Sequence, residues 1–190
     1  MKAGYLISAA AIFTLAAAAS SLGDDGGRGC SNASLYGRYG LATHGERIGV
    51  YDASGVIHLY TYNGNPAPVR VDQVTNETFD GHGNATQFEY VFANGSSQTP
   101  SGFVGPATGT YQVNSDCSGS ETLTYSSGFE INRVFVLSNG GRTIHILTTG
   151  IHPPSLPIGP STGVDSASAG VDCSNGCDLA VQFYTDGERY

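Results

Sequence analysis

The chain has 190 residues, of which 13% are charged against roughly 25% in an ordinary soluble domain. One domain is the default at this length, and 11 Tyr and 8 Phe in a weakly charged chain argue against disorder. Eight basic against 16 acidic residues give a net charge of −8, which repels phosphate backbones and excludes nucleic acid as the expected partner.

The first element is an apolar leader. Lys2 precedes an apolar run over 6–15, and Ala17-Ala18-Ala19 offers a small-residue cleavage site, so 1–19 is expected to be a signal peptide. The run is shorter than the ~20 apolar residues that span a membrane, and no later segment suits a span. The mature chain is expected to be secreted and soluble, with one domain over 30–190.

Secretion changes how the cysteines read. Cys30, Cys117, Cys173 and Cys177 suit two disulfides in an oxidising compartment, with three pairings open. We favour Cys30–Cys117 and Cys173–Cys177, because Ser174-Asn175-Gly176 can close a tight loop. Cys-x3-Cys without a nearby His pair is a weak zinc pattern, so no metal is expected. Four sequons, at Asn32, Asn76, Asn84 and Asn94, permit glycosylation.

Beyond the leader, short aromatic and β-branched runs alternate with Gly, Asn and Asp turns. Strands are expected over 36–43, 47–51, 56–62, 69–79, 85–92, 108–113, 120–125, 129–137, 142–149 and 178–185. Eight to ten antiparallel strands must manage their edges, and closure into a barrel removes them; a sandwich is the alternative. Phe88, Tyr90 and Phe92 share one face of their strand, and Gln87 and Glu89 the other. Around Asn139-Gly140, a two-residue loop places Arg133, Phe135, Ile144 and Ile146 together, and a one-residue change in loop length reverses the face. Pro153, Pro154, Pro157 and Pro160 mark a long connection before the last strand.

Several segments carry a resemblance. The opening Cys30-Ser31-Asn32-Ala33-Ser34-Leu35-Tyr36-Gly37-Arg38-Tyr39-Gly40, the turn Phe79-Asp80-Gly81-x-Gly83-Asn84, and Thr108-Gly109-Thr110-Tyr111-x-Val113-Asn114-x-Asp116-Cys117 are three of them. With Phe135-Val136-Leu137 and Gly140-Gly141-Arg142-x-Ile144-His145, they resemble small secreted proteins of the allene-oxide-cyclase-like, or lipocalin-like, β-barrel group. The resemblance covers about 30–150 and implies a barrel fold, but it supplies no catalytic residue. The chain departs from that pattern over 56–70 and after Gly150.

No G-x-S-x-G elbow, phosphate loop or H-E-x-x-H occurs. Tyr60, Phe88, Tyr90 and Tyr111 are expected to line the lumen or mouth. His58, Arg133 and His145 are the candidates for polarising a substrate oxygen, although a hydrogen-bonded structural role is the ordinary one for a strand histidine. Arg133 and Glu89 gain meaning only if they face inward, where an unpaired charge is costly. His44 and His82 read as turn residues, and His152 as a loop residue.

The expected function is a cofactor-free cyclase or isomerase that folds a lipophilic small molecule toward ring closure, with hetero-Diels–Alder closure as the sharper version. The alternative is a secreted carrier of hydrophobic molecules, or a structural module with a filled barrel. No cofactor is expected, and the sequence leaves the oligomeric state open.

Overall fold

A computed structural model describes residues 29–99, 101–154, 171 and 177–190. The expected leader and Cys173 lie outside the described residues. Twelve strands occur among those described. In chain order they are β1 (Tyr36–Tyr51), β2 (Ile57–Leu59), β3 (Thr61–Tyr62), β4 (Asn65–Pro66), β5 (Val69–Asp80) and β6 (Asn84–Ala93). There follow β7 (Ser96–Ser97), β8 (Val104–Val113), β9 (Ser118–Tyr125), β10 (Glu130–Ser138), β11 (Thr143–His152) and β12 (Leu179–Arg189).

Eight of these, β1, β5, β6 and β8 to β12, pair in antiparallel succession. β12 returns to β1, from Tyr39 opposite Arg189 to Val50 opposite Leu179. That pairing closes the sheet into a barrel and leaves neither long edge exposed, which decides between barrel and sandwich. The two strands expected over 36–43 and 47–51 are one, so His44 lies in mid-strand and not in a turn. Gly45 serves a close approach there: a Cβ on it would fall 1.9 Å from the Gln182 carbonyl oxygen on β12.

Burial alternates along the wall strands, as period-2 geometry requires. On β5, for example, Val71, Thr75, Glu77 and Phe79 are buried while Arg70, Asp72, Val74 and Thr78 are exposed. Ser138 pairs with Thr143 across a four-residue connection. This is longer by two than the expected loop, so parity is kept and Arg133, Phe135, Ile144 and Ile146 all turn inward. Phe135 fits because its cross-strand partner is Gly119, where a Cβ would lie 2.2 Å from the ring.

One end of the barrel is plugged. Cys30 bonds to Cys117, as expected, tethering the N-terminal segment beneath the β8–β9 turn. The 3-10 turn Asn32–Leu35 then buries Leu35 completely. Asn32 Oδ1 accepts the Val113 N–H at 2.8 Å, Tyr111 donates its hydroxyl to the Asn32 carbonyl at 3.1 Å, and Tyr39 donates its own to the Gly141 carbonyl. Phe79 meets Tyr39 and Tyr111 edge-to-face at 5.4 and 5.1 Å. Each such ring contributes about 1.5–3 kcal/mol of burial. Asp80 fixes the adjoining turn by accepting the His82 and Asn84 N–H groups at 2.7 and 2.9 Å. Cys177 is also disulfide-bonded, while its expected partner, Cys173, lies outside the described residues.

Candidate functional site

Register turns polar residues of β5, β6, β9 and β10 into the lumen, where they meet across it. Directly opposed residues in a sheet share a face, so inward Phe79 on β5 brings its partner Ala85 inward, and with it Gln87 and Glu89 on β6. Glu77 on β5 lies opposite Gln87, and Glu121 on β9 lies opposite Arg133 on β10. Strands β11, β12 and β1 supply Ile144, Ile146, Phe183 and Leu41, together with Thr43 and Thr185, which hydrogen-bond to each other at 2.7 Å, all buried.

Arg133 is the centre of this polar group. Its Nη1 donates to Glu77 Oε2 and Glu121 Oε2, both at 3.3 Å, and the three side chains are 4%, 0% and 0% exposed. Two carboxylates thus share one guanidinium. Burial pushes the Glu77 carboxyl well above its ordinary range, the Glu121 charge pushes it further, and Arg133 opposes both. Burial disfavours the Arg133 charge, but Glu77 and Glu121 outweigh it and hold the guanidinium protonated.

A second layer forms around Glu89. Glu89 accepts Gln73 Nε2 at 2.5 Å and Gln87 Nε2 at 3.2 Å, while Gln87 Nε2 also donates to the Tyr125 hydroxyl at 2.9 Å. Burial raises the Glu89 carboxyl against the pull of Tyr125, Arg133, Arg47 and Gln73. Burial, then the charge of Glu89, raises the Tyr125 phenol. Four buried atoms in these layers have no hydrogen-bond partner among the described residues: Glu77 Oε1, Glu121 Oε1, Gln87 Oε1 and Arg133 Nε. Orphaned buried groups of this kind call for a water or a ligand.

The residues expected at the site are divided by the barrel wall. Arg133 faces the lumen, and so does Glu89. Tyr111 is inward but is consumed by the base plug. Tyr60, between β2 and β3, is half-buried against the core. Burial raises its phenol, and the Arg47 guanidinium pulls it back.

Phe88 and Tyr90 do not line the lumen. Phe88 is 42% exposed, and Tyr90 packs against Phe92 and Phe103 at 5.6 and 6.0 Å. The register set by Phe79 and Ala85 puts this aromatic face outside. His145, opposite exposed Val136, is likewise outside, whereas His58 lies opposite buried Val50 and is half-buried. His58 Nε2 meets Asp52 Oδ2 at 2.9 Å, and His145 Nδ1 meets Asp186 Oδ1 at 2.6 Å. Ser138 Oγ approaches His145 Nε2 at 3.5 Å, an order seen in hydrolase relays, yet this wall is open to water and lacks the excluded setting that gives such groups leverage. His44 and His152 also pair with outer aspartates, Asp72 and Asp178. An open groove of about 500 Å³ is lined by His44, Gly45, Glu46, Arg70, Val71, Asp72 and Gln182.

Glu77, Glu121 and Gln87 were missed in the sequence because Glu77 sits inside the sequon Asn76-Glu77-Thr78 and Glu121 in a Ser/Thr-rich run. Alternation held the signal, since Glu77 is in phase with Val71 and Phe79, and Glu121 with Leu123. Among the described residues no group of three or more His, Cys, Asp and Glu is placed to hold a metal, and no helix is long and apolar enough to cross a membrane. No family model, curated protein or solved structure matches the chain.

Proposed function

We propose that the protein is a cofactor-independent cyclase or isomerase acting on a small lipophilic molecule inside the barrel. The observation that carries this reading is the buried, incompletely satisfied Glu77–Arg133–Glu121 cluster in a lumen that also holds apolar side chains. An apolar surface folds and desolvates a substrate, and a few fixed polar atoms orient it. Glu77, whose carboxyl is raised by burial, is the group placed to donate toward a substrate oxygen, with Glu121 paired to Arg133. Arg133 Nε–H supplies a second donor. Isomerisation of this kind needs no external oxidant, and atoms and charge balance when the proton returns to Glu77.

Secretion and glycosylation belong to the same proposal. The Cys30–Cys117 bridge supports an oxidising compartment, and the exposed Asn94 lies in a turn open to modification, while Asn84 begins β6 and donates its Nδ2 to Asp80. The allene-oxide-cyclase-like family assignment is also a proposal, supported by the closed barrel.

The test is incubation of purified protein with a lipophilic extract of the producing organism, followed by mass spectrometry. The cyclase reading expects one component to be replaced by a species of identical mass, and Arg133→Met to abolish the change. Recovery of a bound but unchanged molecule supports the carrier instead.

A further inference from the structure

Of the four orphaned lumen atoms, three are acceptor oxygens, on Glu77, Glu121 and Gln87, and only one is a donor, on Arg133. All four side chains are nine-tenths or more buried. A proton on Glu77 can be shared with the neighbouring Glu121 carboxylate, but Gln87 Oε1 still lacks a donor. Glu89 adds a further carboxylate to the same lumen, beside Gln73 and Gln87. A ligand that satisfies these atoms must bring its own hydrogen-bond donor. An anionic head placed among three glutamates meets repulsion in a low-dielectric setting, with Arg133 already shared.

We infer that the lumen selects a neutral, hydroxyl-bearing lipophile and rejects carboxylates and aprotic ethers of equal length. This deepens the proposed function and rests on it, because it assumes that a ligand enters the barrel. The hydroxyl hydrogen goes to Gln87, and the hydroxyl oxygen accepts from Arg133 Nε. The apolar remainder lies against Ile146 and Phe183. No covalent step is involved.

The experiment uses the neutral fluorophore N-phenyl-1-naphthylamine as the bound probe, displaced in turn by 1-dodecanol, 1-methoxydodecane and dodecanoate at neutral pH. The alcohol is expected to displace it about tenfold more effectively than the ether, the factor for one hydrogen bond of about 1.4 kcal/mol, and dodecanoate more weakly than either. Gln87→Leu, with folding verified by its melting transition, is expected to narrow the alcohol–ether gap. Equal displacement by alcohol and ether, or stronger displacement by dodecanoate, overturns the selectivity while leaving the lumen reading standing. Failure of the fluorophore and the whole series to bind overturns the lumen reading and this inference with it. If Gln87→Leu does not fold, the wild-type series alone decides.

Discussion

Arg133 and Glu77 stand 56 positions apart in the chain and meet at 3.3 Å inside the barrel, on strands that are not neighbours in the sheet. Closure of the barrel creates this contact. It places a guanidinium between two glutamates at a depth where each charge depends on the others.

Removing Arg133 leaves two buried carboxylates uncompensated. Arg133→Met is expected to destabilise the fold by about 3–5 kcal/mol at neutral pH. Adding Glu77→Gln and Glu121→Gln to it should recover part of that loss, because the stranded charges are gone. Chemical denaturation of the single and triple variants measures this, and additive losses would refute the coupling.

The Glu77 carboxyl has its pKa raised above the ordinary 4.5, first by burial and then by Glu121. Folding therefore binds this proton more tightly than the unfolded chain does. The associated stability is fully present below about pH 4.5 and is lost as pH rises through the raised value. Glu77→Gln mimics the protonated acid and removes that loss. The melting temperature of the variant minus that of the wild type should increase between pH 4 and 9, and a flat difference would contradict it.

Aromatic substitutions should separate base from outer wall. Phe79→Ala, within the plug, should cost about 3–5 kcal/mol. Phe88→Ala, on the exposed wall, should cost within about 0.5 kcal/mol. Comparable losses in urea denaturation would mean that the outer ring cluster carries more of the fold than its exposure implies.

The Cys30–Cys117 bridge closes 87 residues of chain. Cys117→Ala should lower stability by about 2–5 kcal/mol, read from thermal unfolding under non-reducing conditions. An unchanged melting temperature would show that the hydrogen bonds of Asn32 and Tyr111 hold the base without it.

His145→Ala removes an exposed pair with Asp186, worth at most about 1 kcal/mol. It should leave ligand binding in the lumen unchanged, whereas Arg133→Lys, which keeps the charge but has no counterpart of the unpartnered Nε–H, should weaken it. A binding defect in His145→Ala would move the site to the outer wall.

The sequence by itself determined the all-β class, most strand positions and the turns, and it favoured Cys30–Cys117 among three open pairings. These follow from local rules: period-2 alternation, Gly and Asn where the backbone turns, and an even cysteine count. Alternation along β6 also separated Phe88, Tyr90 and Phe92 from Gln87 and Glu89, yet it did not say which set faced inward. Aromatic content suggested the wrong set for the lumen, because an apolar face is ordinarily the buried one. Only the tertiary structure decided it. Closure fixes one register for all eight strands, and inward Phe79 commits Ala85, Gln87 and Glu89 to the interior through direct pairing. The burial of Glu77, Glu121 and Arg133 together follows from that same constraint, since charges from strands far apart in the sequence become neighbours only across a closed lumen.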